Sequence, residues 1–247
     1  MNSSRIDARP TWGDRIPDGE WGVYRRVIHE ARRAGIPVAF GGAFAAAVYT
    51  GELRNTKDFD FYILPEDRDR MAEAIGRAGL HDLFNQLPYD RSWIYRGTAG
   101  DVVVDAIWAM ANQRAPVDRR WLTHGPEVVI RGERLRAIPV EELIWAKLYI
   151  VQRTRCDWVD VINLIDARAE SVQWAHLLDR LGEDSPLLTG ALSVFGWLVP
   201  DRAQDIPALV WERLGLEQPR QATDPEAPRL RTSLLDSRPW FTRNLRT

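Results

Sequence analysis

At 247 residues, 45% apolar and 28% charged, the chain has the make-up of a soluble globular protein of one large domain or two modest ones. A net charge of -2 and a pI near 6.1 exclude a global basic field for nucleic acid, leaving room only for a local basic groove. The one cysteine, Cys156, excludes an internal disulfide and fits a reducing cytoplasm.

The opening MNSSRIDARPTWGDR lacks the apolar stretch of a signal peptide, and residues 1–18 read as a flexible lead-in. No apolar run approaches the roughly 20 residues that a membrane-spanning helix needs. WGVYRRVIHEARRAG spaces Trp21, Tyr24, Val27, Ile28 and Ala31 at helical intervals and stops at Gly35. Val38 to Phe40 predicts a short strand, Gly41-Gly42 a break, and AFAAAVYTG a helix ending at Gly51. DFDFYIL is the next strand, and PEDRDRMAEAIGRAGL a helix opened by Pro65.

The segment 81–98 is aromatic and irregular, with SWIYR as a strand. DVVVDAIWAM after Gly100 is a β-branched strand, with Asp101 a turn residue. EVVIRGERLRAIP predicts a hairpin turning near Gly132. From Val140 to about Arg168 runs a long helical region, bent or split near Arg155, and helices follow at 171–182, 186–197 and 206–215. The chain divides into an α/β core over 19–139, a mostly helical region over 140–217, and an extended or disordered tail over 218–247.

Three features bear on chemistry. Asp58 and Asp60 stand at i and i+2 of a strand, so both carboxylates point to one face and repel. An exposed edge strand would tolerate that pattern. Otherwise a divalent cation relieves it, and oxygen-only ligands suit Mg2+, which takes one or two carboxylates plus substrate phosphates. Gly41-Gly42, at the junction of strand and helix, leaves backbone N–H groups uncovered for phosphate, although such turns are also common in plain folds. Asp105 closes the run VVVD on a strand expected to be central, either as a strand-end residue or as a third acid. His29, His81, His124 and His176 show no zinc-ligand spacing. Arginine is the default cation here, which draws attention to the lysines, Lys57 and Lys147. Trp108, Trp145, Trp158, Tyr49 and Phe61 read as core.

Together these features resemble the nucleotidyltransferase superfamily related to DNA polymerase β. FGGAFAAAVYTGELRNTKDFDFYI is similar to its signature of Gly-Gly, a short helix and D-x-D between hydrophobics, and Arg54-x-Thr56-x-Asp58 is similar to the approach in small bacterial members. PVEELIWAKLYIVQRTRCDWVDVINLI resembles the helix of minimal nucleotidyltransferases and of the AbiEii-type toxin group, where a lysine precedes an arginine and two spaced aspartates. Here those are Lys147, Arg153, Asp157 and Asp160, with Cys156 where the group often has arginine and Arg155 beside it. The resemblance covers about residues 36–166.

It implies an α/β (α+β) fold, a mixed β-sheet nucleotidyltransferase core flanked by helices and followed by a mostly helical C-terminal region. It implies a cytoplasmic, Mg2+-dependent enzyme that moves an NMP from an NTP, ATP among them, to a hydroxyl on tRNA, a protein or a small molecule. In that scheme Asp58 and Asp60 hold Mg2+, and Asp105 binds a second Mg2+ or takes the acceptor proton. Gly41, Gly42, Arg54 and Thr56 meet the nucleotide, Lys147 adds positive charge at the phosphates, and Lys57 is structural. A cognate antitoxin is the implied partner if the chain is a toxin-antitoxin component. The alternative is a non-catalytic nucleotide- or partner-binding module on the same fold.

Overall fold

The computed structural model describes residues 10–54, 56, 58–224 and 226–235. Lys57, the first nine residues and the last twelve lie outside the described residues, as do the expectations placed on them. The chain forms two compact units, Met1–Pro139 and Val140–Thr247.

The first unit is built on a mixed sheet. Its strands are β1 (Ala39–Phe40), β2 (Asp58–Tyr62), β3 (His81–Asp82), β4 (Ile94–Ala99) and β5 (Val102–Ile107), in spatial order β1-β2-β5-β4-β3. Only β2 and β5 run parallel; the other neighbours are antiparallel. The β4–β5 hairpin turns through Gly100-Asp101, with Gly100 at φ +61° and Ala99 paired to Val102. A separate hairpin joins β6 (Glu127–Ile130) to β7 (Glu133–Arg136) across Arg131-Gly132.

Alternation along the strands makes the two faces unlike. Phe59 and Phe61 on β2, with Val104 and Ala106 on β5, are buried. The face they form is covered by α1 (Asp18–Arg33), α2 (Gly42–Thr50) and α3 (Arg68–Arg77). Phe59 is the centre of this packing, with ring centroids 4.9 Å from Tyr24 of α1 and 4.8 Å from Phe44 of α2. Burying such rings is worth roughly 1.5–3 kcal/mol each, enough to fix the register of β2, since a slip of one residue would turn the aspartates into this core. From Pro10 onward the lead-in is more ordered than its composition suggests. Thr11–Arg15 forms a 3-10 turn that buries Trp12, whose indole N–H donates to the Ala47 carbonyl at 3.1 Å. The short helix α4 (Arg119–Thr123), which the sequence did not announce, is capped by the Asp118 side chain and stacks Trp121 on Tyr62 at 5.1 Å.

The second unit is helical: α5 (Val140–Leu148), α6 (Trp158–Arg168), α7 (Trp174–Leu181), α8 (Pro186–Leu198), α9 (Ala208–Arg213) and α10 (Ala227–Leu235). The long helical region does split. Between α5 and α6 the chain makes a tight excursion in which Val151 bridges Cys156 and the Gln152 N–H donates to the Arg155 carbonyl at 2.7 Å. The tail expected to be extended contains α10, which packs on α8. Arg231 donates to the Trp197 carbonyl at 2.6 Å and lies over its ring at 5.5 Å. Within the described residues no helix is long and apolar enough to cross a membrane.

Candidate active site

The sheet face opposite α1–α3 carries charge. Asp58 is exposed and Asp60 half-buried on β2; Asp60 pairs in register with Asp105 on β5, and Asp105 with Arg96 on β4. Residues opposite one another on adjacent strands share a face, so Asp60, Asp105 and Arg96 form a row across three strands, with Asp58 one pleat away. Two carboxylates about 7 Å apart on one strand repel by roughly 0.6 kcal/mol in water and about 2 kcal/mol near a protein surface. That is a standing cost which the β2 core must offset.

Gly41 and Gly42 shape the edge of this row. A Cβ on Gly42, which sits at φ +56°, would lie 1.7 Å from Asp60 Oδ2. A Cβ on Gly41 would lie 2.1 Å from the Tyr62 ring. The Gly-Gly pair therefore admits the Asp60 carboxylate and the Tyr62 ring against the start of α2. The Gly41 N–H is already used, donating to the Asp60 carbonyl at 2.9 Å in the β1–β2 pairing, so its part is steric and not that of a phosphate donor. Gly41, at the N-cap of α2, has no side chain to cap the helix, and the Asp60 carboxylate lies against its first residue.

Asp105 is not bare. Arg96 Nε donates to Oδ1 at 3.1 Å and Oδ2 at 3.2 Å, and Nη2 to Oδ2 at 2.8 Å. Burial pushes the Asp105 carboxyl up, Arg96 pulls it back, and the charge on Asp58 pushes it up again; the net shift is upward. Burial draws the Arg96 guanidinium down, but Asp105, then Asp58 and Asp60, outweigh it and hold it above its ordinary range. Among the described residues no group of three or more His, Cys, Asp and Glu side chains is disposed to hold a metal ion. The three acids share a face, and the third of them is clasped by arginine. Arg96 escaped the sequence reading. The signal was present: a two-residue turn at Gly100-Asp101 counts back from Asp105 to Arg96.

The remaining candidates have contacts of their own. Arg54 is exposed before β2. Thr56 Oγ1 accepts from the Asp58 N–H at 3.4 Å, so that hydroxyl braces the strand's entry. Lys147 belongs to the second unit, where its buried ammonium donates to Asp157 at 2.8 Å and Asp160 at 2.6 Å. Through these two carboxylates the lysine ties α5 to α6. Arg155 makes the contact left open by Cys156, donating to Asp157 at 2.8 and 2.9 Å. Burial raises the Asp157 carboxyl, but Arg155 and Lys147 together bring it down to about 2. Trp108, Trp145, Tyr49 and Phe61 are buried. Trp158 is half-buried, its N–H bonded to the Leu148 carbonyl.

No protein-family model and no curated protein sequence matches the chain. Solved structures similar to it include the antibiotic-resistance factor ANT(2'')-Ia in solution, with TM-score 0.47 and 16% identity over 72% of this chain and 97% of that one. ANT(2'')-Ia in complex with adenylyl-2''-tobramycin gives TM-score 0.43 and 19% identity over 69% and 95% of the two chains. An antigenic nucleotidyltransferase-like protein from Paracoccidioides brasiliensis gives TM-score 0.40 and 20% identity over 71% and 93%. Likeness at this level transfers neither a substrate nor a reaction.

Proposed function

We propose that the chain is a Mg2+-dependent nucleotidyltransferase that moves an NMP from an NTP to a hydroxyl acceptor and releases pyrophosphate. The observation that carries this reading is the acid row itself: Asp58, Asp60 and Asp105 on the one sheet face left uncovered by α1–α3, beside a glycine whose missing side chain makes room for Asp60. A fold stabilised only by packing has no use for that arrangement of like charges.

The donor set fits the cation. Asp58 and Asp60 are oxygen ligands on one face, and a hard cation of this kind completes its shell with substrate phosphates and water. When bound, Mg2+ supplies electrostatic relief for charge on the phosphate oxygens. The chain's own residues do the rest. Asp58 and Asp60 fix where the triphosphate lies, and the start of α2 presents a positive helix end. Asp105, adjacent to Asp60 but clasped by Arg96, stands behind that pair, and the acceptor hydroxyl gives its proton to solvent water. The acceptor oxygen then bonds to the α-phosphorus, the bond from that phosphorus to the β-phosphate bridge oxygen breaks, and pyrophosphate departs. Lys147 takes no part, its charge being held by Asp157 and Asp160.

The test incubates the full chain with each α-labelled NTP and either total RNA, total protein or a panel of hydroxyl-rich small molecules. Label on RNA, protein or a small molecule, abolished by Asp58→Ala, supports transfer and names the acceptor class. Label on tRNA would favour the toxin-antitoxin reading. Nucleotide binding with no label and no pyrophosphate from any NTP would make the chain a binding module instead.

A further inference from the structure

Arg96 brings a cation into hydrogen-bonding contact with the acid row. It stands directly across from Asp105, which stands directly across from Asp60. Both Asp105 oxygens accept from it through Nε and Nη2, and none of these bonds uses Nη1. The Asp105 side chain is only 3% exposed, so its one route to charge compensation on this face is already filled. A bidentate arginine–carboxylate pair is among the strongest side-chain interactions and fixes orientation as well as charge. For Asp105 to join a cation held by Asp58 and Asp60, those bonds would have to break and leave the guanidinium facing the metal.

We infer that Arg96 is a positioning residue that keeps Asp105 out of the cation's coordination shell, so that the site takes one divalent cation, held by Asp58 and Asp60. The inference rests on the nucleotidyltransferase reading above and narrows it.

Counting bound Mn2+ by electron paramagnetic resonance, on the full chain saturated with a non-hydrolysable NTP analogue and corrected for Mn2+ on the analogue alone, tests this. The wild-type chain binds one Mn2+. Asp105→Asn, which keeps the shape of the side chain, still binds one with affinity changed less than about threefold. Arg96→Gln frees Asp105 and adds a second ion or tightens Mn2+ at least about tenfold, whereas Arg96→Lys keeps one and Arg96→Gln with Asp105→Asn returns to one. Two ions on the wild-type chain, or a tenfold loss with Asp105→Asn, would overturn the role given to Arg96 while leaving nucleotidyl transfer intact. Mn2+ binding unaffected by Asp58→Asn would remove the parent reading and this one with it.

Discussion

The Asp60 carboxylate fills the place where a side chain on Gly42 would have to be: a Cβ there would meet Oδ2 at 1.7 Å and the carboxyl carbon at 2.8 Å. Gly42 also sits at φ +56°, which costs other residues about 1–2 kcal/mol. One residue thus sets both the backbone entry to α2 and the position of an acid.

Gly42→Ala is therefore expected to damage stability and chemistry together. Thermal melting should fall by at least about 4 °C. Label transfer from NTP should drop on the order of 100-fold, because the carboxylate is pushed off the row. An alanine variant with wild-type turnover would show that the Asp60 position is immaterial.

Asp58 should behave in the opposite way. It is exposed and repels Asp60, so Asp58→Asn should leave metal-free stability unchanged or raise it by up to about 1 kcal/mol in a urea titration. The same variant should lose transfer activity about 100-fold or more. A gain in stability at the expense of activity is the signature of a residue kept for function.

The sheet face was legible in DFDFY because phenylalanine and aspartate alternate so strictly that only one register buries the rings. The glycine turn, the hairpin at Gly132 and the break before Trp158 could be read for similar local reasons. What could not be read depends on pairing between distant segments. The Gly41 N–H is consumed because β1 runs antiparallel to β2, and Trp12 orders the lead-in because the Ala47 carbonyl is within reach. Nor does local pattern reveal that Lys147 faces two aspartates from the next helix; the spacing fits a phosphate-directed lysine equally well. The helix α10 was hidden by the Pro and Arg around it, since its support comes from α8.

Lys147→Met is predicted to be a folding defect of the second unit. It leaves Asp157 buried and Asp160 half-buried without their ammonium, a loss of about 3–5 kcal/mol. Urea denaturation should show it, and Lys147→Arg should recover part of the loss. A stable Lys147→Met chain with impaired NTP affinity would return the lysine to the phosphates.

Acid should weaken the same cluster. The Asp157 carboxyl is depressed from 3.8 to about 2 in the folded chain, so its contribution to stability is fully present above the unfolded value and is lost as pH falls through the folded one. Far-UV circular dichroism melts should decline between about pH 4 and pH 2, and Asp157→Asn should flatten that decline.

The acid row's capacity to hold a cation and a triphosphate is tested most directly by a crystal structure of the full chain with Mn2+ and a non-hydrolysable NTP analogue, read through the manganese anomalous signal. The account predicts a peak liganded by Asp58 and Asp60 with the triphosphate against the start of α2. Nucleotide bound elsewhere, or manganese absent from those two carboxylates, would contradict it.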